Sequence, residues 1–495
     1  MPVISVQPED MAIQNRLLKE LYNSYSEQST HRGFAFTYAI RTYGCQLNES
    51  DSEKIAGFMK SMSFEPSVTD DPDIMFFNTC SIRENADDRL FGNLGLIKAA
   101  KRKNPSMIVA VCGCMMKQKE HLEKIKRSFP YVDLIFGPQD IHRIPELMHK
   151  LHFSKKKVYD VSETDFIADD LALPIERSRS FRALVPVMFG CNKFCSYCIV
   201  PYTRGRERSR PLEQIVEEIS DLVKKGFKEV MLLGQTVSTY GADLGRKEGF
   251  SDLLREVSEI KGLYRLRFMS PYPTDITGEV LQVMKDHPNI ERHLHLPVQS
   301  GSNRILKKMN RKYTKEQFME TVNTYRSFFP DGTISTDIIV GFPGETEEDF
   351  SDTISLVEEA AFDAAFTFQF SARNGTPAAK MDDKISPEVM TERFGRLLLL
   401  QNQNCYDSNA SVVGSVQEVL VEGRSETAPY IFTGRTSENR LVNFSIPKDT
   451  LLPWGDRTKE ENEVIDGNRL EGSVATVLLK NARPFSLEGR LEEFL

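Results

Sequence analysis

Three cysteines, Cys191, Cys195 and Cys198, stand at C-x3-C-x2-C spacing in GCNKFCSYCIVPYTRGRERSRP. Thiolates this close together suit an iron–sulfur cluster with three irons held by protein and the fourth open to a small molecule. An open iron binds a chelating ligand and passes it one electron. A zinc knuckle is the competing use of clustered cysteines, but structural zinc takes four ligands, and no His or Cys stands at a plausible fourth spacing. A disulfide fits poorly, because the local count is odd and nothing marks the chain for secretion.

Four more cysteines lie upstream. Cys45 in TYGCQ, Cys80 in FFNTCS and the pair Cys112/Cys114 in VCGCMM each follow an apolar, β-prone run. In open α/β sheets the carboxyl edge of the strands is where sites form, so loops distant in sequence converge there. Free cysteines also serve as small buried hydrophobes. Placement after three separate strands, each beside a Gly, Thr or Asn turn, favours a second three-cysteine cluster. Cys112 continues its strand's alternation while Cys114 lies beyond Gly113 in the turn, which favours Cys114 as the third ligand. Cys405, on a helical stretch, reads as structural, and His121 and His295 read as packing or surface residues.

The elements that must position these residues fall into three series. Residues 1–33 are polar and read as an arm or a short helix, Ala12 to Tyr22. From 34 to 150, strand-like runs at Phe34–Tyr43, Ile74–Phe77, Met107–Val111 and Val132–Phe136 alternate with helical patterns, which predicts a doubly wound parallel sheet. Residues 151–180 are polar and read as a linker. From 181 to 407 a second series has strands at Leu184–Met188, Glu229–Leu233, Tyr264–Met269, His293–Val298, Thr333–Val340 and Ala364–Phe370. Six such β/α units, not eight, predict an open, partial barrel with the Cys191 loop at its carboxyl mouth. From 408 to 495, short runs at Val416–Val421, Tyr430–Arg435, Arg440–Ile446 and Gly472–Leu479 predict a small antiparallel β-barrel of the oligonucleotide-binding kind. Trp454, in the turn-rich LLPWGDR, reads as a packing residue.

Bulk properties exclude several classes. With 40% hydrophobic and 27% charged residues over 495 positions, the chain is neither disordered nor fibrous. No apolar run reaches the roughly 18 residues of a spanning helix, and the N-terminus lacks the pattern of a signal or transit peptide. A reducing cytoplasm is expected. The net charge of −8 gives no global attraction to nucleic acid, but eight Arg and Lys between Arg177 and Arg210 face Glu207 alone in the sequence. Such runs are usually solvated loops; beside cluster cysteines, a phosphate-bearing substrate explains this one better.

The spacing of Cys191, Cys195 and Cys198, with Tyr197 before the last cysteine, resembles the radical S-adenosylmethionine enzymes. Taken together, TYGCQLNESDSE, FFNTCSIRENADDR and VCGCMMKQ resemble the N-terminal domain of the methylthiotransferases. HLPVQSGSNRILKKMNRKYT and TDIIVGFPGETEEDF are similar to their radical domain, and FTGRTSENRLVNF to their RNA-binding TRAM barrel. The likeness runs from about Thr37 to the C-terminus. TYGCQ and PYTRGRERSRP are most similar to the branch acting on isopentenylated adenosine in tRNA. GQTVSTYG departs from the GQNVNxY common there, and the changes at Thr236 and Ser238 are expected to affect S-adenosylmethionine contacts and not the cluster ligands.

The resemblance implies two 4Fe-4S clusters, one on Cys191, Cys195 and Cys198 that cleaves S-adenosylmethionine, and one on Cys45, Cys80 and Cys114 that carries sulfur. One S-adenosylmethionine methylates that sulfur, and a second gives the radical that activates carbon 2 of the adenine beside the anticodon. By family position, Tyr197, Gly234 and Gln235 face S-adenosylmethionine. Gly341 is either the place where its adenine approaches or a plain turn glycine. Arg204, Arg206 and Arg208 are expected at tRNA phosphates or at the cofactor carboxylate, and Arg435 and Arg440 at tRNA, their alternative being solvated hairpin charges. Implied partners are isopentenylated tRNA, an electron donor such as flavodoxin or ferredoxin, and a sulfur source, with no membrane and a monomeric state. The alternatives are methylthiolation of threonylcarbamoyladenosine tRNA or of a ribosomal-protein aspartate, and, outside enzymes, an iron–sulfur RNA-binding regulator.

Overall fold

The computed structural model describes residues 8–81, 84–162, 173–246, 249–425, 428–460 and 463–495. The apolar runs near the N-terminus become parallel strands: β1 (Phe36–Thr42), β2 (Phe64–Pro66), β3 (Ile74–Thr79), β4 (Ile108–Gly113), β5 (Leu134–Phe136) and β6 (Val158–Asp160). Their sheet order is β2-β1-β3-β4-β5-β6. β3, IMFFNT, is buried at every position because helices cover both faces. Leu21 of α1 (Pro8–Arg32), Ile55 and Phe58 of α2 (Gln46–Ser61) and Leu147 of α5 (Ile144–Ser154) pack on one face with Phe76. Leu90 and Leu94 of α3 (Glu84–Lys103) and Ile125 of α4 (Lys119–Ser128) pack on the other with Phe77.

Two expectations change here. The described part of the N-terminal arm forms a single 25-residue helix, Pro8–Arg32, held to α5 where the Glu146 amide donates to the Gln14 side chain at 3.1 Å. Its stripe of Met11, Gln14, Leu18, Leu21 and Tyr25 has helical spacing, but one polar member and many charged neighbours dilute it. The linker expected from residue 151 begins within α5 and includes β6, the sixth strand of the sheet. Residues 163–172 of that linker lie outside the described residues.

The middle of the chain contributes β7 (Arg182–Pro186), β8 (Met188–Phe189), β9 (Arg208–Ser209), β10 (Glu229–Leu233), β11 (Arg265–Phe268), β12 (His293–His295), β13 (Thr333–Val340) and β14 (Ala364–Gln369). Two parallel sheets, β11-β10-β7 and β12-β13-β14, are linked by a parallel bridge between Leu266 and Ile290, giving an open six-stranded barrel. The run expected as one strand, Leu184–Met188, is split at Pro186, and β8 turns away to pair with β9. Helices α6 (Val200–Thr203), α7 (Leu212–Lys224), α8 (Gly249–Ser258), α9 (Gly278–Asp286), α10 (Asn303–Lys308), α11 (Lys315–Phe328) and α12 (Glu347–Ala360) connect the strands. Alternation along each strand sorts the two faces. Val230, Leu232, Leu266, Phe268, Ile334 and Ile338 pack against the helices, so Met231, Leu233, Arg267, Asp337 and Ile339 face the lumen.

After α13 (Pro387–Ala410), strands β15 (Val416–Arg424), β16 (Ile431–Arg435), β17 (Leu441–Ser445), β18 (Val474–Arg483) and β19 (Ser486–Phe494) close a barrel in the order β15-β16-β17-β19-β18. β19, SLEGRLEEF, adds a fifth strand to the four expected, and it pairs parallel with β17, so the barrel is not wholly antiparallel. Trp454 packs at the edge of this core with Arg469 over its ring at 3.9 Å. The β16–β17 hairpin reaches the amino-terminal ends of the central strands. Arg265 and Arg267 donate to Arg435 O at 2.9 Å and to Asn439 Oδ1 at 2.7 Å, and the Arg292 amide donates to Ser437 O at 3.0 Å.

Candidate active site

The upstream cysteines gather at the carboxyl edge of the N-terminal sheet. Cys45 caps α2 directly after the β1 turn, Cys80 follows β3, and Cys114 follows β4. Gly44, at φ 106°, brings the first loop onto the second, where a Cβ on it would lie 2.3 Å from Cys80 Cβ. Asn48, fully buried on α2, ties the loops together. Its amide nitrogen donates to Tyr43 O at 3.1 Å and Thr79 O at 2.6 Å. Its oxygen lies 3.6 Å from Cys45 Sγ and 3.8 Å from Cys114 Sγ.

Cys112 does not share this position. Its side chain lies in the apolar core with Ala110, Phe136 and Ile55, and burial pushes its thiol well above the ordinary range. Cys114 is also buried, which pushes its thiol up to about 12 against the opposing pull of Arg204. Arg204 Nε donates to Cys114 Sγ at 2.9 Å, and its Nη2 reaches Asn48 Oδ1 at 2.9 Å and Asp51 Oδ2 at 2.7 Å. Burial opposes the guanidinium charge, but Asp51, Cys114 and Cys45 outweigh it and hold Arg204 protonated beyond its usual range. A cation at this thiol suits a site that binds thiolates.

The second trio occupies the loop after β8. Cys198 N donates to Cys195 O at 3.0 Å, and the loop is fixed to the rest of the barrel by Cys191 N to Gly205 O at 3.1 Å and Ser196 N to Met309 O at 2.9 Å. Thr236 Oγ1 stands 3.2 Å from Cys191 Sγ, and Arg311 Nη1 stands 3.5 Å from Cys195 Sγ. Burial pushes the Cys198 thiol up to about 12 and raises that of Cys191 against the pull of Thr236. The Thr236 contact corrects the expectation that the GQTVSTYG departure leaves the cluster cysteines untouched. Ser238 is spent on the scaffold, donating to Asp275 at 3.1 Å and accepting from the Tyr272 amide at 2.8 Å.

Among the described residues no group of three His, Cys, Asp or Glu side chains is set to hold a single metal ion, and no disulfide joins any of the eight cysteines. A four-iron cluster places each thiolate on a different iron, so its ligands need not meet at one point. The donor set, all thiols with cations beside Cys114 and Cys195, fits such clusters better than zinc. The mouth also fits S-adenosylmethionine at one atom. Gln235 Oε1, just after β10, is buried without a hydrogen-bond partner and can accept from an ammonium. Gly234 beside it lies against the Met188 side chain, and Tyr197 packs with Ile305, Met309 and Phe342. At Gly341, φ 77°, the space of a Cβ is taken by Met390 Cγ and Sδ at 2.6 Å, so the geometry requires glycine for the turn and the packing of α13.

The arginines depart most from expectation. Arg204 and Arg208 are buried, Arg208 donating to Arg204 O at 3.0 Å. Of those three only Arg206 is exposed, its guanidinium 4.4 Å from the Phe194 ring centroid. Acids from distant segments answer the rest of the basic run: Arg177 pairs with Glu53 at 3.0 Å and Glu218 at 2.8 Å, and Lys193 with Asp275 at 3.0 Å. Arg435 pairs with Glu422 at 3.3 Å, and Arg440 binds Ser408 at 2.7 Å and Asp363 at 3.4 Å. Arg440 ties the C-terminal barrel to the middle domain, whereas the Arg435 side chain pairs within the barrel and only its carbonyl meets the middle domain, so neither is a solvated hairpin charge. Cys405 accepts from Gln401 at 3.2 Å inside α13, a structural position. His121 pairs with Asp87 at 3.7 Å, and His295 is buried in the lumen against Ser335 at 2.9 Å.

Asn48, Asp51 and Arg311 are the site residues that sequence reasoning missed, and Thr236 was expected beside the cofactor, not at Cys191. The first two had a signal, since LNESDSE places polar residues on a face of α2 that is buried. The loops of the two trios are joined across the domain boundary, where Arg204 donates to Cys114 Sγ. Cys45 and Leu47 pack with Leu184, Met231 and Leu233 of the barrel, and Arg204 follows Cys198 by six residues in the chain.

Comparisons with known proteins agree with this layout. Profiles of the Radical SAM superfamily match residues 185–357, of the uncharacterized protein family UPF0004 residues 37–137, and of the TRAM domain residues 410–491. The chain is 48% identical over 490 residues to the tRNA-2-methylthio-N(6)-dimethylallyladenosine synthase of Acetivibrio thermocellus, covering 99% of this chain and 98% of that one. It is 45% identical over 458 residues to the synthase of the same name from Clostridium perfringens, covering 92% and 98%. A solved radical S-adenosylmethionine methyltransferase from Kitasatospora setae, bound to cobalamin and a 4Fe-4S cluster, shares the fold over 70% of this chain and 77% of that one, with a TM-score of 0.50 at 13% identity. No helix among the described residues is long and apolar enough to cross a membrane. The chain belongs to the tRNA-2-methylthio-N(6)-dimethylallyladenosine synthases, radical S-adenosylmethionine methylthiotransferases with an N-terminal UPF0004 domain and a C-terminal TRAM barrel.

Proposed function

We propose that this enzyme replaces the hydrogen on carbon 2 of N6-dimethylallyladenosine, beside the tRNA anticodon, with a methylthio group. The observation that carries this reading is the near full-length identity to named synthases, supported by two cysteine trios brought to one domain boundary. Cys191, Cys195 and Cys198 would hold the 4Fe-4S cluster that binds S-adenosylmethionine, and Cys45, Cys80 and Cys114 a second one. When bound, the first supplies the electron that cleaves the sulfonium and the second supplies a coordinated sulfur. Arg204 and Arg311 place positive charge at a thiol of each trio. Gln235 Oε1 offers an acceptor to the amino group of the cofactor. Leu184, Met231 and Leu233 give Cys45 an apolar floor.

The reaction further calls for a low-potential electron donor such as flavodoxin or ferredoxin, a sulfur source, and the cytoplasm where tRNA is modified. Arg206, exposed at the mouth, is the arginine of its loop available to an RNA phosphate. Nucleoside analysis of tRNA from a deletion strain tests the reading. Loss of the 2-methylthio adenosine, with accumulation of the N6-dimethylallyl form, is expected. Unchanged tRNA with a ribosomal-protein aspartate left unmodified would overturn it.

A further inference from the structure

The lumen of the central barrel has one wall that the described residues leave open. In β14 the register sets Phe366 beside Asp337 and Phe368 beside Ile339 of β13. Neighbours in register point to the same face of a sheet. Ile338 and Val340 of β13 and Ala365 of β14 pack against the helices, so Asp337, Ile339, Phe366 and Phe368 face inward. Phe366 is 50% exposed and Phe368 43% exposed, while Phe268, on the helix-facing side of β11, is 5% exposed. β14 is the free edge of the open barrel, so the two rings are reached from its side.

Their surroundings describe an occupant. Phe366 meets the edge of His295 at 5.8 Å between centroids, and His295 is fixed by Ser335 at 2.9 Å. The Asp337 carboxylate, 28% exposed, lies 3.6 Å from His295 Nε2. On the opposite wall, Leu184, Met231 and Leu233 pack with Cys45 of the N-terminal domain. Two adjacent aromatic rings open to a lumen suit a branched alkyl group, because burying such a group gains in proportion to the apolar area removed from water. A carboxylate beside them suits an N–H donor. N6-dimethylallyladenine carries both on one nitrogen.

We infer that Phe366 and Phe368 receive the dimethylallyl group of the substrate adenine and that Asp337 accepts its N6–H, making this edge the determinant that separates prenylated from unprenylated tRNA. This rests on the function proposed above. Bases also stack on aromatic rings regardless of substitution, so the test must separate alkyl recognition from stacking. Reconstituted full-length enzyme is titrated with two anticodon stem-loop RNAs that differ only in the dimethylallyl group, and Kd is read by fluorescence anisotropy. Wild type is compared with Phe366→Ala, Phe368→Ala and the conservative Phe366→Leu, each first checked for wild-type iron content and thermal midpoint.

The expected result is a wild-type preference for the prenylated RNA that falls by roughly tenfold to a hundredfold in the alanine variants. Affinity for the unprenylated RNA stays unchanged, and most of the preference is kept with leucine. A preference that survives in both alanine variants, or equal loss of affinity for both RNAs, overturns the inference alone. A wild-type enzyme that binds both RNAs alike and forms no methylthio product overturns the proposed function, and the inference with it.

Discussion

Replacing Arg204 by Met removes a cation that reaches from the radical loop into the upstream trio. Asp51, 3% exposed, loses the partner it holds at 2.7 Å, and Asn48 and Cys114 each lose a donor at 2.9 Å. Breaking a buried ion pair from one side costs about 3 to 5 kcal/mol, because the remaining charge stays desolvated. With a urea slope of about 2 kcal/mol per M, the midpoint of the N-terminal transition is expected to fall by roughly 1.5 to 2.5 M. Anaerobic urea unfolding of the cluster-free protein, followed by circular dichroism, measures it. Arg204→Met combined with Asp51→Asn should recover most of the loss, since the stranded charge is gone. Arg204→Lys should fall between, because one ammonium cannot reproduce the fork that serves Cys114 and Asp51 together. A single Met variant within about 0.5 kcal/mol of wild type, or a double variant no better than the single, would refute the reasoning.

Replacing Cys191, Cys195 and Cys198 together by Ala should leave about half the iron and abolish 5′-deoxyadenosine formation; iron falling to zero would mean a single shared site. Cys112→Ala should keep full iron and most activity while Cys114→Ala loses the upstream cluster, and equal loss in both would contradict their different surroundings. Deleting residues from 408 onward strips Arg265, Arg267 and the Arg292 amide of partners in the β16–β17 hairpin. The middle domain should therefore melt at lower temperature, as well as bind tRNA less tightly; an unchanged midpoint would sink the view that the hairpin closes the barrel floor.

What was legible in the sequence is what local order encodes. The cysteine spacing, the strand-turn placement of Cys45, Cys80 and Cys114, and the six barrel strands depend on neighbours within a few residues. β2 and β6, three residues each, are too short to show a period. β19 alternates Leu487 and Leu491 with charged residues and reads as an exposed loop until β17 covers its edge. The alternation that makes Phe366 and Phe368 a pair was visible, but not which side of β14 stands open.

Charge was the least legible property. Between Arg177 and Arg210 the sequence offers one acid, and a tRNA-binding strip follows naturally from it. The fold supplies Glu53 and Asp51 from α2, Glu218 from α7 and Asp275 from the turn before α9. Counter-charges 41 to 153 positions away cannot be paired by inspection. The same contacts explain why the two trios depend on each other: Arg204 belongs by sequence to the loop that carries Cys198, and by its bonds to the site of Cys114. A shift of the radical loop that moves Arg204 takes a positive charge from the upstream thiol. Changes at one trio are therefore expected to register at the other through this guanidinium, a coupling that neither cysteine motif contains by itself.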